Sequence, residues 1–148
     1  MKSPISIENL QASILEIRGN KVLIDSDVAK IYGVETKRVN EAVKNNLNKF
    51  PQDYLFELDQ DEKNELVENF DRFRRLKHST TNPKAFTEKG LYMLATILKS
   101  KQATQATFTI IEAFAKIREL SSAIRTLSVT QDEAQQKPLI LPNKVRSK

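Results

Sequence analysis

Apolar positions recur every three or four residues across residues 27–46 (DVAKIYGVETKRVNEAVKNN), and the pattern predicts two short helices joined at a glycine. Val28, Ala29 and Tyr32 form the apolar face of the first helix, and Val39, Ala42 and Val43 that of the second. Gly33 supplies the positive φ that a tight reversal needs, and Val34 seals the turn. Small Ala29, ahead of Gly33, lets the two helices cross closely. This is the pattern of a helix-turn-helix. It leaves Glu35, Thr36, Lys37, Asn40, Glu41, Lys44 and Asn45 outside, a charge- and amide-rich set of the kind that base edges and phosphates require. An ordinary helical hairpin with a solvated face fits the same spacing.

Before this unit, Ile7–Ala12 reads as a short helix. Ile14–Arg18 and Lys21–Asp25 flank Gly19-Asn20, a two-residue hairpin signal. That turn sets Ile17 opposite Val22 and Leu15 opposite Ile24, all four on one face. Asp25 or Ser26 is placed to cap the first helix of the helix-turn-helix. After it, Phe50-Pro51 stops the second helix. Tyr54, Phe56 and Leu58 alternate as a third strand. Asp59 and Glu62 make a capping pair for a helix through about Phe70, with Leu66, Val67, Phe70 and Phe73 as its buried stripe. Arg72–Pro83 reads as irregular and basic. Thr87 caps a further helix, Phe86 packs on Leu91 as a hydrophobic staple, and Leu91, Leu94, Ala95 and Leu98 face inward.

The last helix is expected over about residues 102–127. Ile110, Ala113, Ile117, Leu120, Ile124 and Leu127 follow a heptad seam, while Phe108, Ile111 and Phe114 lie on another face. Two readings fit: the seam joins two copies as a homodimer, or the whole helix lies on its own core. Residues 128–148, with Pro138, Pro142 and the cations Lys137, Lys144, Arg146 and Lys148, read as a disordered basic tail. The expected architecture is α+β: a small winged-helix-like domain over residues 5–127, with an N-terminal β-hairpin, a helix-turn-helix and a long C-terminal helix.

Composition narrows the function classes. The chain has 148 residues, enough for one domain and a tail. It has 24 Lys and Arg against 19 acids, a net charge of +5. Residues 52–71 hold eight acids and one base, whereas residues 72–101 hold eight bases and one acid. A basic surface therefore adjoins an acidic one. There is no Cys, the single histidine is His78, and only three glycines occur. These counts leave no thiolate or histidine metal cluster, no catalytic triad and no Gly-rich phosphate loop. Asp59, Asp61, Glu62, Glu65 and Glu68 read as a solvated acidic helix face. The expectation is a non-enzyme with no cofactor, no metal and no small-molecule substrate. The longest apolar run, Leu91–Ala95, is too short to span a bilayer, and MKSPISIENL lacks a signal-peptide core, so a cytoplasmic location is expected.

Arg72, Arg74, Arg75 and Lys77, followed by Lys84 and Lys89, form a second basic element suited to a phosphate backbone. Phe73 and Leu76 fix it to the core. A merely soluble loop, or one that neutralises the acidic helix, fits the same residues.

Arg18-Gly19, Val22-Leu23-Ile24-Asp25, Asp27-Val28-Ala29, Ile31-Tyr32-Gly33-Val34 and Thr36-Lys37-Arg38-Val39-Asn40-Glu41-Ala42-Val43 follow one another in order. Asn45-Asn46, Phe50-Pro51-Gln52-Asp53-Tyr54, Ala85-Phe86-Thr87-Glu88-Lys89-Gly90-Leu91, Ala113-Phe114 and Lys116-Ile117-Arg118 extend the series. Over about residues 5–120 the chain resembles the phage-type "open reading frame six N-terminal" family, which travels with KilA-N and Bro-N domains. The resemblance implies double-stranded DNA binding by a phage or prophage transcriptional regulator. Lys77–Lys84 departs from the family in having neither Trp nor Gly, and no second folded domain is expected after residue 128.

On this reading Thr36, Lys37, Asn40, Glu41, Lys44 and Asn45 face the major groove. Arg38 lies toward its flank, and Arg72, Arg74, Arg75, Lys77, Lys84 and Lys89 hold phosphates. The alternative is an antirepressor-like protein-interaction module that works through the C-terminal helix.

Overall fold

The computed structural model describes residues 5–130 and 143–144. In chain order the elements are α1 (Ile7–Ser13), β1 (Leu15–Ile17), β2 (Asn20–Ile24), α2 (Asp25–Tyr32), α3 (Thr36–Lys44) and a 3-10 turn (Leu47–Lys49). Then come β3 (Leu55–Glu57), α4 (Gln60–Asn69), a basic 3-10 helix (Asp71–His78), β4 (Lys84–Thr87), α5 (Glu88–Leu98), α6 (Lys101–Thr130) and β5 (Asn143–Lys144). The class is α+β, with the hairpin, the helix-turn-helix and the long last helix that the pattern predicts.

The sheet runs β3-β4-β2-β1-β5, with antiparallel pairing from β3 to β1 and parallel pairing of β5 with Leu15–Glu16. Apolar side chains leave it on both faces. Leu23 and Phe86 join α1, α2, α3, α5 and α6 in the larger cluster. Leu15, Ile17, Val22, Ile24, Phe56 and Ala85 join Leu58 and Leu66 with Phe73 of the 3-10 helix in the smaller one. Burial on both faces explains the unbroken apolar run Val22-Leu23-Ile24.

Strand β4 is absent from the sequence reading, which begins a helix at Phe86-Thr87. Its pairing with both β2 and β3 makes it central, and that order depends on long-range contacts rather than local pattern. The hairpin register also differs from expectation. Leu15 pairs with Val22 and Ile17 with Asn20, a shift of two residues that keeps the four apolar side chains in one cluster. The turn is Arg18-Gly19, both at positive φ (56° and 77°). Arg18 accepts that conformation because its guanidinium donates two 2.8 Å hydrogen bonds to Glu62 and lies 4.6 Å above the Phe56 ring.

Glu62 therefore does not belong to a solvated face. It is buried, and its Oε1 also accepts the Asp59 N–H while Asp59 accepts the Glu62 N–H, the reciprocal capping box of α4. Thr87 caps α5 as expected, whereas neither Asp25 nor Ser26 caps α2, whose N-cap is Ile24. Asp25 instead turns inward.

Helix α6 packs on α1, α2 and α5. Ile110, Ala113 and Ile117 are at most 2% exposed within the chain's own core. That half of the expected dimer seam has no surface left for a second copy. Leu120, Ile124 and Leu127 stay partly exposed. Of the tail expected from residue 128, α6 continues to Thr130 and Asn143–Lys144 form β5. Lys137, Arg146, Lys148 and both prolines fall outside the described residues.

Candidate nucleic-acid interface

Helix α2 ends at Gly33, with φ 71° and the paired hydrogen bonds of a Schellman motif: Val34 N–H to Ala29 O at 2.9 Å and Gly33 N–H to Lys30 O at 3.3 Å. A Cβ at Gly33 would meet the amide end of the Gln102 side chain of α6, which would have to turn aside. The Tyr32 hydroxyl donates to Leu91 O at 2.7 Å and ties the same turn to α5. Val39, Ala42 and Val43 bury the inner face of α3. Lys37, Arg38, Glu41 and Lys44 are consequently exposed, and Thr36 and Asn40 lie at the rim.

Two hollows flank α3. One, of about 300 Å³, lies between α3 and the basic 3-10 helix; Asp25, Thr36, Asn40, Arg72, Arg75, Ser79, Thr81 and Asn82 are among its lining. The other, of about 410 Å³, is lined by Lys37, Asn40, Glu41, Val43, Lys44, Leu47 and Lys84. Asn40 borders both, so the two form one band across the face of α3. Among the described residues no ion pair engages Lys37, Arg38, Lys44 or Arg75.

The structure sorts the other predicted contacts differently. Arg72–Pro83 is not irregular: a 3-10 helix spans Asp71–His78, held by buried Phe73. Arg72 is committed inward, with Nε 3.1 Å from Asp27 and its guanidinium 4.4 Å from the Phe73 ring. Arg74 reaches Asp71 at 3.0 Å on the outer side. Lys77 borders a hollow that it shares with Lys63 and Glu68 of α4. Lys89 pairs with Asp53 at 3.5 Å, in a cleft shared with Arg118. None of these last three lines the band. Asn45 is exposed at the C-terminal end of α3.

Asn40 is turned away from solvent. Its Nδ2 donates to Asp25 Oδ2 at 3.3 Å, and its Oδ1 is buried without a hydrogen-bond partner. The sequence reading has Asn40 face the major groove; a bidentate contact with adenine requires an amide free on both atoms, and here one is already engaged. Asp25 also accepts the Lys84 N–H at 3.4 Å. Burial raises its carboxyl above the ordinary 3.8, against these hydrogen bonds. Burial likewise raises Asp27, opposed by Arg72. Sequence reasoning read Asp25 only as a cap and passed over Leu47, since both owe their place to the packing of distant elements.

A family model described as the ORF6N domain matches residues 12–97, more than half of the chain. The chain belongs to the ORF6N domain family. The ORF6N match takes in β1 through nearly all of α5, including the helix-turn-helix and the basic 3-10 helix, and it stops before α6. Residues 113–118, counted into the resemblance, lie beyond it. Comparison with curated proteins and with solved structures returns no match. No helix among the described residues is long and apolar enough to cross a membrane.

Proposed function

We propose that this ORF6N domain binds double-stranded DNA as a phage- or prophage-type transcriptional regulator, without catalysis. One observation carries the reading: cations without an ion pair among the described residues gather along α3 and the adjoining 3-10 helix, on the outer face of the helix-turn-helix. Lys37, Glu41 and Lys44, one helical turn apart, are the base-reading set, with Thr36 and Arg38 beside them. Arg75 and Lys84 flank α3 and meet the phosphates on either side. Asn40 holds the floor through Asp25.

The salt dependence of duplex binding tests this. With about five phosphates engaged, log K falls against log salt with a slope of about −4 to −5. No retardation of any duplex at about 50 mM salt, or a slope near zero, overturns the reading.

A second reading is favoured by the exposure of Leu120, Ile124 and Leu127 beyond the buried part of α6. Through them α6 joins two copies or engages a regulator, as an antirepressor does. Sedimentation of Leu120→Asp against the wild type tests it: an assembly that the substitution dissolves supports the seam, and a wild-type monomer removes the homodimer.

A further inference from the structure

Leu47 is the most exposed large apolar side chain among the described residues, at 67%. It stands at the start of the 3-10 turn that follows α3, and the turn is firmly held. Asn46 Nδ2 donates to Ala42 O at 2.8 Å, Lys49 N–H to Asn46 O at 2.8 Å, and Phe50 N–H to Leu47 O at 3.1 Å. Phe50 is buried edge-on to Phe86, with ring centroids 6.2 Å apart. Leu47 is thus fixed in the hollow that Lys37, Lys44 and Lys84 surround, with Glu41 the one acid of its lining.

An apolar side chain among three cations calls for a ligand that is anionic at its edges and apolar at one point. In the major groove the base edges offer hydrogen-bonding atoms and one apolar group, the thymine C5-methyl. We infer that Leu47 is a specificity-determining residue that packs on a thymine methyl next to the bases met by α3. Phe108 and Ile111, the other large apolar side chains exposed here, lie on α6 away from this hollow and carry no such inference. The inference rests on the DNA-binding reading.

The test uses a duplex selected by the wild-type chain from a random pool. Each thymine is replaced in turn by deoxyuridine, which removes the methyl and keeps the pairing. For the wild type, one position should lose about fourfold in affinity, the fold-change that burial of a methyl group carries. Leu47→Ala should bind the thymine duplex about as weakly as the wild type binds the uracil duplex, and be indifferent to the exchange. Leu47→Met should keep the sensitivity. Wild-type binding with no sensitive thymine, or Leu47→Ala equally sensitive, overturns this inference alone. If the wild type retards no duplex, the DNA reading falls and this inference with it.

Discussion

The two sides of the molecule treat charge in opposite ways. Around α4 and the hairpin turn, Arg18 meets buried Glu62, and Lys63 donates to Ser79 O. Arg72, in the 3-10 helix, turns inward to buried Asp27. Around α3, Lys37, Arg38, Lys44 and Arg75 form no ion pair among the described residues. The first arrangement consumes charge within the fold and the second leaves it for something outside. A count of cations along the chain does not distinguish the two; Arg72 and Arg75 lie three residues apart and belong to opposite classes.

The contrast breaks most severely at Arg18. Arg18→Ala leaves the Glu62 carboxylate, with 2% of its side chain exposed, without its cation. The expected loss is about 3 kcal/mol, read from urea unfolding. A loss like that of an ordinary surface substitution would place the Arg18–Glu62 pair with the ligand-seeking charges.

Gly33→Val attacks the mounting of α3 instead. A β-branched residue at φ 71° is strained whatever the space around it, and should lose about 1–3 kcal/mol and carry duplex binding down with it. Wild-type melting would remove the tight turn on which the helix-turn-helix depends.

Arg72 and Arg75 sharpen the comparison within one element. Arg72→Ala uncovers Asp27 and should lower stability by about 1–2 kcal/mol. Arg75→Ala should melt as the wild type but flatten the salt slope of binding by about 1. Paired thermal melts and titrations decide it, and equal behaviour of the two variants would dissolve the distinction.

The smallest effect belongs to Asp25, at the boundary between the two regions. Its folded pKa is raised by burial, so its contribution to stability is complete below the ordinary 3.8 and is lost as pH rises through the raised value. Relative to the wild type, Asp25→Asn should gain stability as pH climbs from about 4 towards neutrality. A difference that stays level with pH would show that the carboxyl is not held high.

What could be read from sequence was what neighbours within a few residues decide. Gly33, the Asp59–Glu62 capping box, the Thr87 cap and the inner face of α3 all have that character, and all appear in the fold. The hairpin register did not, because Arg18 adopts positive φ for the sake of contacts 44 residues away. Strand β4 escaped for a related reason: its four residues carry too little pattern, and β2 and β3 confer its identity. In the candidate site, spacing predicted which α3 residues face outward, while the inward commitment of Arg72 and Asn40 depends on Asp27 and Asp25 in another helix.

The hydrogen bond from Tyr32 to Leu91 O gives the fold a built-in spectroscopic reporter. The chain has no tryptophan and three tyrosines, so its near-ultraviolet signal is tyrosyl. Burial holds the Tyr32 phenol well above its usual 10.0, and burial with the bond to Glu88 does the same for Tyr92. In an alkaline titration two of the three phenols should therefore resist ionisation while the protein is folded. The late phenolate absorbance of Tyr32 marks the moment when the helix-turn-helix lets go of α5.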